Sequence, residues 1–378
     1  MIKSREYSYK SIIFRLFVLC FCLTFSFYGE GKVVKKSQKK NTTTQTKAAT
    51  NSYSKLEGRP LEWFQKAKTG DAEAQYRLAN CYYNGNYNLK ADYEKAFYWA
   101  KKSADQQYPA ATFLLGECYD KGVGVTQNQS KATEYYNLSY NQALPLAQDG
   151  DTIAQVIVGL YMKVIKNDSE AAVEWYRKSA EQGCAYAQCV LGMSYKRGNG
   201  VSQDFDKAYY WFVKASKYEE PAALFNLGQC YYEGKGVEQD YKSAVNWFSK
   251  AAELGVALAQ NNLAFCYEHG QGVSKDLEKA IYWFNKSAEQ GLSSAQNSLG
   301  ICYENGTGVT RNYKKAVYWY RKAAEQGHAN ACANLGYCYA HGLGVAKNIS
   351  KAIELFQEAA RSGDESAQKT LIDNGLTW

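Results

Sequence analysis

AQNSLGICYENGTGVTRNYKKAVYWYRKAAEQG, residues 295–327, holds one complete structural unit. Ala295, Leu299, Cys302 and Tyr303 recur at the spacing that puts side chains on one face of a helix. Gly306 and Gly308 then interrupt that helix, where the chain needs positive φ or a close backbone approach. Asn312 stands where a second helix needs its N-cap, as Asp240 and Asp276 do elsewhere in the chain. That second helix carries Ala316, Trp319, Tyr320 and Ala323 on its buried face and stops at Gly327. The small residues Gly300, Ala316 and Ala323 let the two helices approach closely, with Trp319 filling the space beyond.

The unit recurs at a fixed step. Leu191, Leu227, Leu263, Leu299, Leu335 and Leu371 lie 36 residues apart, as do Trp175, Trp211, Trp247, Trp283 and Trp319. Trp63, Trp99 and Tyr135 extend the register toward the N-terminus. Eight helix pairs are expected, beginning near Ala72, Pro109, Thr152, Ala185, Pro221, Ala257, Ser293 and Ala329. The repeats run over about 72–107, 108–143, 151–183, 184–219, 220–255, 256–291, 292–327 and 328–363. A lone helix precedes them near Pro60–Thr69, and a closing helix occupies about 364–373. The third pair is irregular: its Gly-x-Gly-Val turn is replaced by KVIKND, and Pro145 lies in extra chain ahead of it.

The motif A-x-A-Q-x-x-L-G-x-C-Y-x-x-G-x-G-V, followed by W-x-x-K-A-A-E-Q-G, resembles the Sel-1-like repeat family, a relative of the tetratricopeptide repeats. AQNNLAFCYEHGQGVSKDLEKAIYWFNKSAEQG (259–291) shows it as clearly as 295–327. The resemblance implies an all-α fold, a right-handed α-solenoid of about eight 36-residue helix-turn-helix repeats. It also implies a concave face lined by the first helices, and work as an adaptor or scaffold for protein complexes.

Residues 59–378 form the expected repeat body; residues 29–58 read as a disordered basic linker and 1–28 as a signal peptide or membrane anchor. Lys3, Arg5, Lys10 and Arg15 precede the apolar run Leu16–Tyr28, which is shorter than a membrane-spanning helix requires. That pattern suits an exported protein with a cleaved leader. The eight basic residues from Lys32 to Arg59 favour the other reading, an anchor that keeps the repeats in the cytoplasm.

Net charge is +8, yet residues 61–378 hold 33 basic against 34 acidic side chains. The repeat body therefore lacks a basic footprint for nucleic acid. Cys81, Cys118, Cys230, Cys266, Cys302 and Cys338 share one slot three residues after the leucine anchor. Equivalent slots one helix spacing apart lie beyond disulfide reach, so these cysteines read as packing residues. Unpaired thiols sit more comfortably in a reducing compartment, which weighs against export. Within the resemblance, Cys332 matches a first-helix position of cysteine-rich secreted members, but Ala323, Ala324 and Ala359 fill the second-helix slots and that disulfide pattern is absent. His269, His328 and His341 read as exposed turn histidines, and no metal-ligand spacing, cofactor loop or catalytic constellation is present. The Ser-x-x-Lys patterns at Ser37–Lys40 and Ser52–Lys55 lie in the linker, without the rigid helix start and partner motifs of a penicillin-recognising serine, which disfavours a cell-wall or β-lactam hydrolase.

The remaining expectation is a binding groove for a protein or peptide partner. Phe225, Phe265, Ile301 and Tyr337 fall on a stripe opposite the leucine face, and Asn226, Asn262 and Asn334 each precede the anchor. In the related tetratricopeptide groove an Asn at this slot holds the backbone of an extended peptide, which implies the same role here. The alternative is that the asparagines stitch neighbouring helices together.

Overall fold

The computed structural model describes Leu56 and residues 58–378; the expected leader and nearly all of the basic linker lie outside the described residues. Among the described residues there are helices and no strands. Helix α1 (Gly58–Lys68) stands alone and eight antiparallel pairs follow it. They are α2 (Ala72–Asn84) with α3 (Tyr93–Ala104), α4 (Pro109–Lys121) with α5 (Gln129–Gln148), α6 (Thr152–Val164) with α7 (Ser169–Glu181), and α8 (Ala185–Arg197) with α9 (Phe205–Ser216). The series continues with α10 (Pro221–Glu233) and α11 (Tyr241–Glu253), α12 (Ala257–His269) and α13 (Leu277–Glu289), α14 (Ser293–Asn305) and α15 (Tyr313–Ala324), and α16 (Ala329–His341) and α17 (Ile349–Arg361). Helix α18 (Glu365–Asp373) closes the stack. None of these helices is long and apolar enough to cross a membrane.

Most pairs are built on one leucine and one ring. Leu78, Leu115, Leu191, Leu227, Leu263 and Leu299 are fully or almost fully buried; each stabilises the fold by about 1.5–3 kcal/mol through the apolar surface it removes from water. The residue after the anchor is a glycine in most pairs, and a ring from the second helix lies directly on it. A Cβ at Gly300 would sit 2.5 Å from the Tyr320 ring, and one at Gly228 would sit 2.6 Å from Phe248. This corrects the expected role of the tryptophans. The core plug is the residue after each Trp: Tyr176, Phe212, Phe248, Phe284 and Tyr320 are among the largest fully buried side chains. Trp247 and Trp283 are half-buried and each touches two successive core clusters, so they join neighbouring pairs rather than fill one.

The turns follow from backbone chemistry. The Asp276 carboxylate accepts from the Lys279 N–H and Asn312 from the Lys315 N–H, capping α13 and α15 as expected. Two glycines shape each turn for different reasons. Gly270 ends α12 in the left-handed region at φ +70°, with room for a Cβ. A Cβ on Gly272 would lie 2.1 Å from the Tyr241 carbonyl of the preceding pair, so this glycine permits a close backbone approach. In the third pair Asn167 takes the left-handed position at φ 53° and the turn is shorter.

Glutamines link each pair to the next. The Gln260 amide donates to the Ala252 carbonyl of the preceding pair, while its oxygen accepts from Gln290. Gln296 repeats this with Ala288 and Gln326, and Gln155 with Ala147 and Gln182. The two glutamines of the A-x-A-Q and A-E-Q-G motifs are therefore one stitch. At the fourth pair, Lys217-Tyr218-Glu219 replaces the second glutamine, and the buried Gln188 oxygen has no partner among the described residues.

The stack coils far enough for its start to meet its middle. The Tyr87 N–H donates to the Leu254 carbonyl at 2.6 Å, and the Asn88 amide donates to the Glu253 carbonyl at 2.9 Å. Arg59 pairs with Glu219 at 2.9 Å. These contacts fasten the first pair and α1 onto the fourth and fifth pairs, closing one turn of the superhelix.

Candidate functional site

The first helices line the inside of that turn. Burial raises the Tyr186 hydroxyl of α8 well above the usual phenol range, and Tyr76 of α2, Glu117 of α4 and Glu220 at the start of α10 lie within electrostatic reach of it. Burial there raises the Glu117 and Glu220 carboxyls above the usual carboxylate range, with Lys121 opposing the shift at Glu117 and Arg77 and Arg59 at Glu220. Toward the C-terminus the same face carries Glu268, also raised by burial, and Glu304, which accepts from the Tyr320 hydroxyl.

The seven residues proposed from sequence fall into three groups. Phe265, Ile301 and Tyr337 lie half-buried on successive first helices α12, α14 and α16. Phe265 stacks on His269 at 4.0 Å, and Tyr337 packs on His341 at 4.1 Å, while Ile301 packs against the last core cluster. Asn226 and Asn334 each bond to a neighbouring pair: Asn226 accepts from the Lys196 ammonium at 3.3 Å, and Asn334 donates to Asn297 at 3.0 Å. Asn262 is 4% exposed, and its amide nitrogen has no partner among the described residues.

Phe225 does not line the groove. It is 5% exposed and packs 6.0 Å from Phe248 inside the core. Its slot, two residues before Leu227, lies on the seam where successive first helices meet, and a ring placed there is covered by the neighbouring pair. The same slot holds Asn261 and Asn297 in the next two pairs.

A second correction concerns His328. It is the half-buried N-cap of α16, its ring nitrogen accepting from the Ala331 N–H at 3.3 Å. Burial pushes its pKa down to about 4, so the neutral ring is the form that caps the helix. His269 and His341 are exposed, as expected.

Eight of the described cysteines are buried, and Cys184 is half-buried at the N-cap of α8. All nine described cysteines are free, and burial pushes the thiols of Cys81, Cys266, Cys302 and Cys338 up to about 12. A thiol held that high is protonated at neutral pH and is not an activated nucleophile. Among the described residues, no three His, Cys, Asp or Glu side chains converge as a metal site.

The sequence profile of the Sel1 repeat matches eight times, at residues 72–108, 109–144, 158–184, 185–217, 221–256, 257–292, 293–328 and 329–364. The chain is 30% identical over 154 residues to chitin synthase regulatory factor 3 of Schizosaccharomyces pombe, a match spanning 38% of this chain and 16% of that protein. It is 29% identical over 158 residues to the Sel1-repeat-containing protein YjcO of Escherichia coli, spanning 38% of this chain and 61% of that one. Among solved structures, a protective antigen of uropathogenic Escherichia coli with an SLR fold is 35% identical, with a TM-score of 0.53, covering 83% of this chain and 67% of the other. A Sel1 repeat protein from Oxalobacter formigenes is 26% identical, with a TM-score of 0.56, covering 90% and 98%.

Proposed function

The chain belongs to the Sel1 repeat family, whose proteins are generally non-catalytic protein-interaction scaffolds, and from that premise we propose that it holds a partner polypeptide in the concave groove of pairs six to eight. The observation that carries this reading is the row Phe265, Ile301 and Tyr337, half-buried on three successive first helices. Apolar side chains left partly open along a polar-rimmed concave face are what an extended peptide uses for its alternate side chains. Glu268 and Glu304 on the same face suit a partner that carries basic residues between its apolar ones. The N-terminal segment exports or tethers the scaffold.

The test is peptide selection on the immobilised full chain, repeated with a Phe265→Ser/Tyr337→Ser variant. Peptides with spaced apolar and basic residues are expected to bind the natural chain and to lose about 10–100-fold in affinity on the variant, the effect of removing two aromatic anchors. Selected peptides that bind both proteins equally would overturn the groove.

One observation favours a second location. Nine unpaired thiols in a repeat body suit a reducing compartment, and so a regulator that faces the cytoplasm and is anchored by its N-terminus. Fractionation with an intact mass distinguishes the two: a processed chain outside the cytoplasm supports export, and an unprocessed one in the membrane fraction supports the anchor.

A further inference from the structure

A cavity of about 40 Å³ opens on the concave face between the third and fourth pairs, beside the irregular turn. Leu160 and Lys163 of α6, Tyr176 of α7, and Val190, Met193 and Arg197 of α8 line it. Space of that size holds two or three waters, or one headgroup with two oxygens.

Tyr186, Ser194 and Asn199 complete the lining; the Ser194 hydroxyl proton is spent on the Val190 carbonyl, and the positive charge comes from Lys163 and Arg197. Neither Lys163 nor Arg197 has a hydrogen bond or an ion pair among the described residues. Burial and the facing Arg197 charge both press the Lys163 ammonium pKa downward, which is the signature of two cations without a counter-ion. The Tyr176 hydroxyl, on a side chain 1% exposed, has no partner either. A buried hydroxyl left unpaired costs about 1–3 kcal/mol and calls for an explanation.

The seventh pair supplies one. Tyr320 occupies the same second-helix slot as Tyr176, and its hydroxyl donates to Glu304, five residues after the Leu299 anchor. Five residues after the corresponding anchor of the third pair, Val158, stands Lys163. The internal acceptor has been replaced by a cation. Tyr176, Lys163 and Arg197 thus converge on a space that the seventh pair fills with a carboxylate of its own.

We propose that this cavity binds an external carboxylate carried on a branched aliphatic group. The two cations and the hydroxyl would hold its oxygens, and Leu160, Val190 and Met193 would cover the hydrocarbon. The terminal residue of a polypeptide and a free short-chain acid share this chemistry. The proposal deepens the scaffold reading and rests on it only for the polypeptide source.

Met193 is one of three methionines in the chain, so methyl labelling of methionine places a probe in the cavity wall. The full chain is titrated with N-acetyl-leucine, its amide, 4-methylpentanoate and inorganic phosphate. Both carboxylates are expected to shift the Met193 methyl signal saturably, while the amide leaves it in place. Tighter binding of N-acetyl-leucine assigns the polypeptide source, and tighter binding of 4-methylpentanoate the free acid. Tyr176→Phe preserves the ring that Phe212, Phe248 and Phe284 supply elsewhere, so it folds, and it should weaken carboxylate binding about tenfold, as loss of one charge-assisted hydrogen bond does. Lys163→Met should weaken it at least as much. Four outcomes would each overturn the proposal: no saturable shift, an amide that binds like the acid, phosphate binding tighter than either carboxylate, or a Tyr176→Phe variant that binds normally. The peptide selection at Phe265 and Tyr337 addresses a site outside this cavity, so either reading can fail alone.

Discussion

Gly255 and Gly291 occupy the same slot in successive pairs, with φ of +86° and +96°, yet they meet different surroundings. A Cβ on Gly255 would lie 2.5 Å from the Asn88 backbone nitrogen, whereas one on Gly291 would touch nothing within 4 Å. The first five pairs form a turn closed on itself, and the last three form an arm whose ends touch only neighbours. In the arm, Gln260 and Gln296 make the same pair of bonds in successive pairs. In the closed turn, the same slots serve other ends: the first turn becomes a clasp, the fourth glutamine loses its partner, and a carboxylate gives way to Lys163. Repetition supplies stability by nearest neighbours, and departures from it mark where the chain does something else.

The strongest way to break that contrast is Gly255→Ala against Gly291→Ala. Both introduce left-handed strain of about 1–2 kcal/mol, but only the first must also open the clasp, with its two hydrogen bonds worth about 1 kcal/mol each. Denaturant unfolding should show Gly255→Ala losing about 2 kcal/mol more, and hydrogen exchange should speed up at residues 86–88 in that variant alone. Equal losses would mean that the closed turn contributes nothing beyond its local contacts.

A smaller effect sharpens the comparison. Gln296→Leu removes bonds to Ala288 and Gln326, whereas Gln188→Leu removes one bond, to Ala180, together with an orphaned oxygen. The first should cost about 1–2 kcal/mol by thermal or chemical unfolding, and the second less than half of that. Smallest of all is Arg59→Ala, which deletes an ion pair exposed at both ends. A change within about 0.5 kcal/mol is expected, further reduced by salt; a larger loss would make the ion pair the main fastener of the clasp.

Much of this molecule is legible in its sequence because each repeat solves a local problem. Helix length, caps and turns follow from residues a few positions apart, so the 36-residue step, Asn312 as a cap and Gly306 as a helix end could be read directly. The groove was harder. Phe265, Ile301 and Tyr337 are left half-buried, but Phe225 is covered, because a position on the seam is exposed or buried according to the pair stacked beside it. Trp319 and Tyr320 are adjacent in the chain, and helical periodicity alone could not say which one fills the core. The glutamine stitch left a sequence signal at the same spacing as the tryptophans, though only the bonds reveal its partners.

The sequence by itself determined an array of eight helix pairs, their register and their caps, since those depend on short-range sterics and hydrogen bonding that repeat without reference to the whole. Tertiary structure alone decided that Tyr87 and Asn88 meet Leu254 and Glu253, and that Tyr176, Lys163 and Arg197 surround one cavity. The physical reason is geometric accumulation: small rotations between pairs add up over the stack, and their sum fixes which distant surfaces touch.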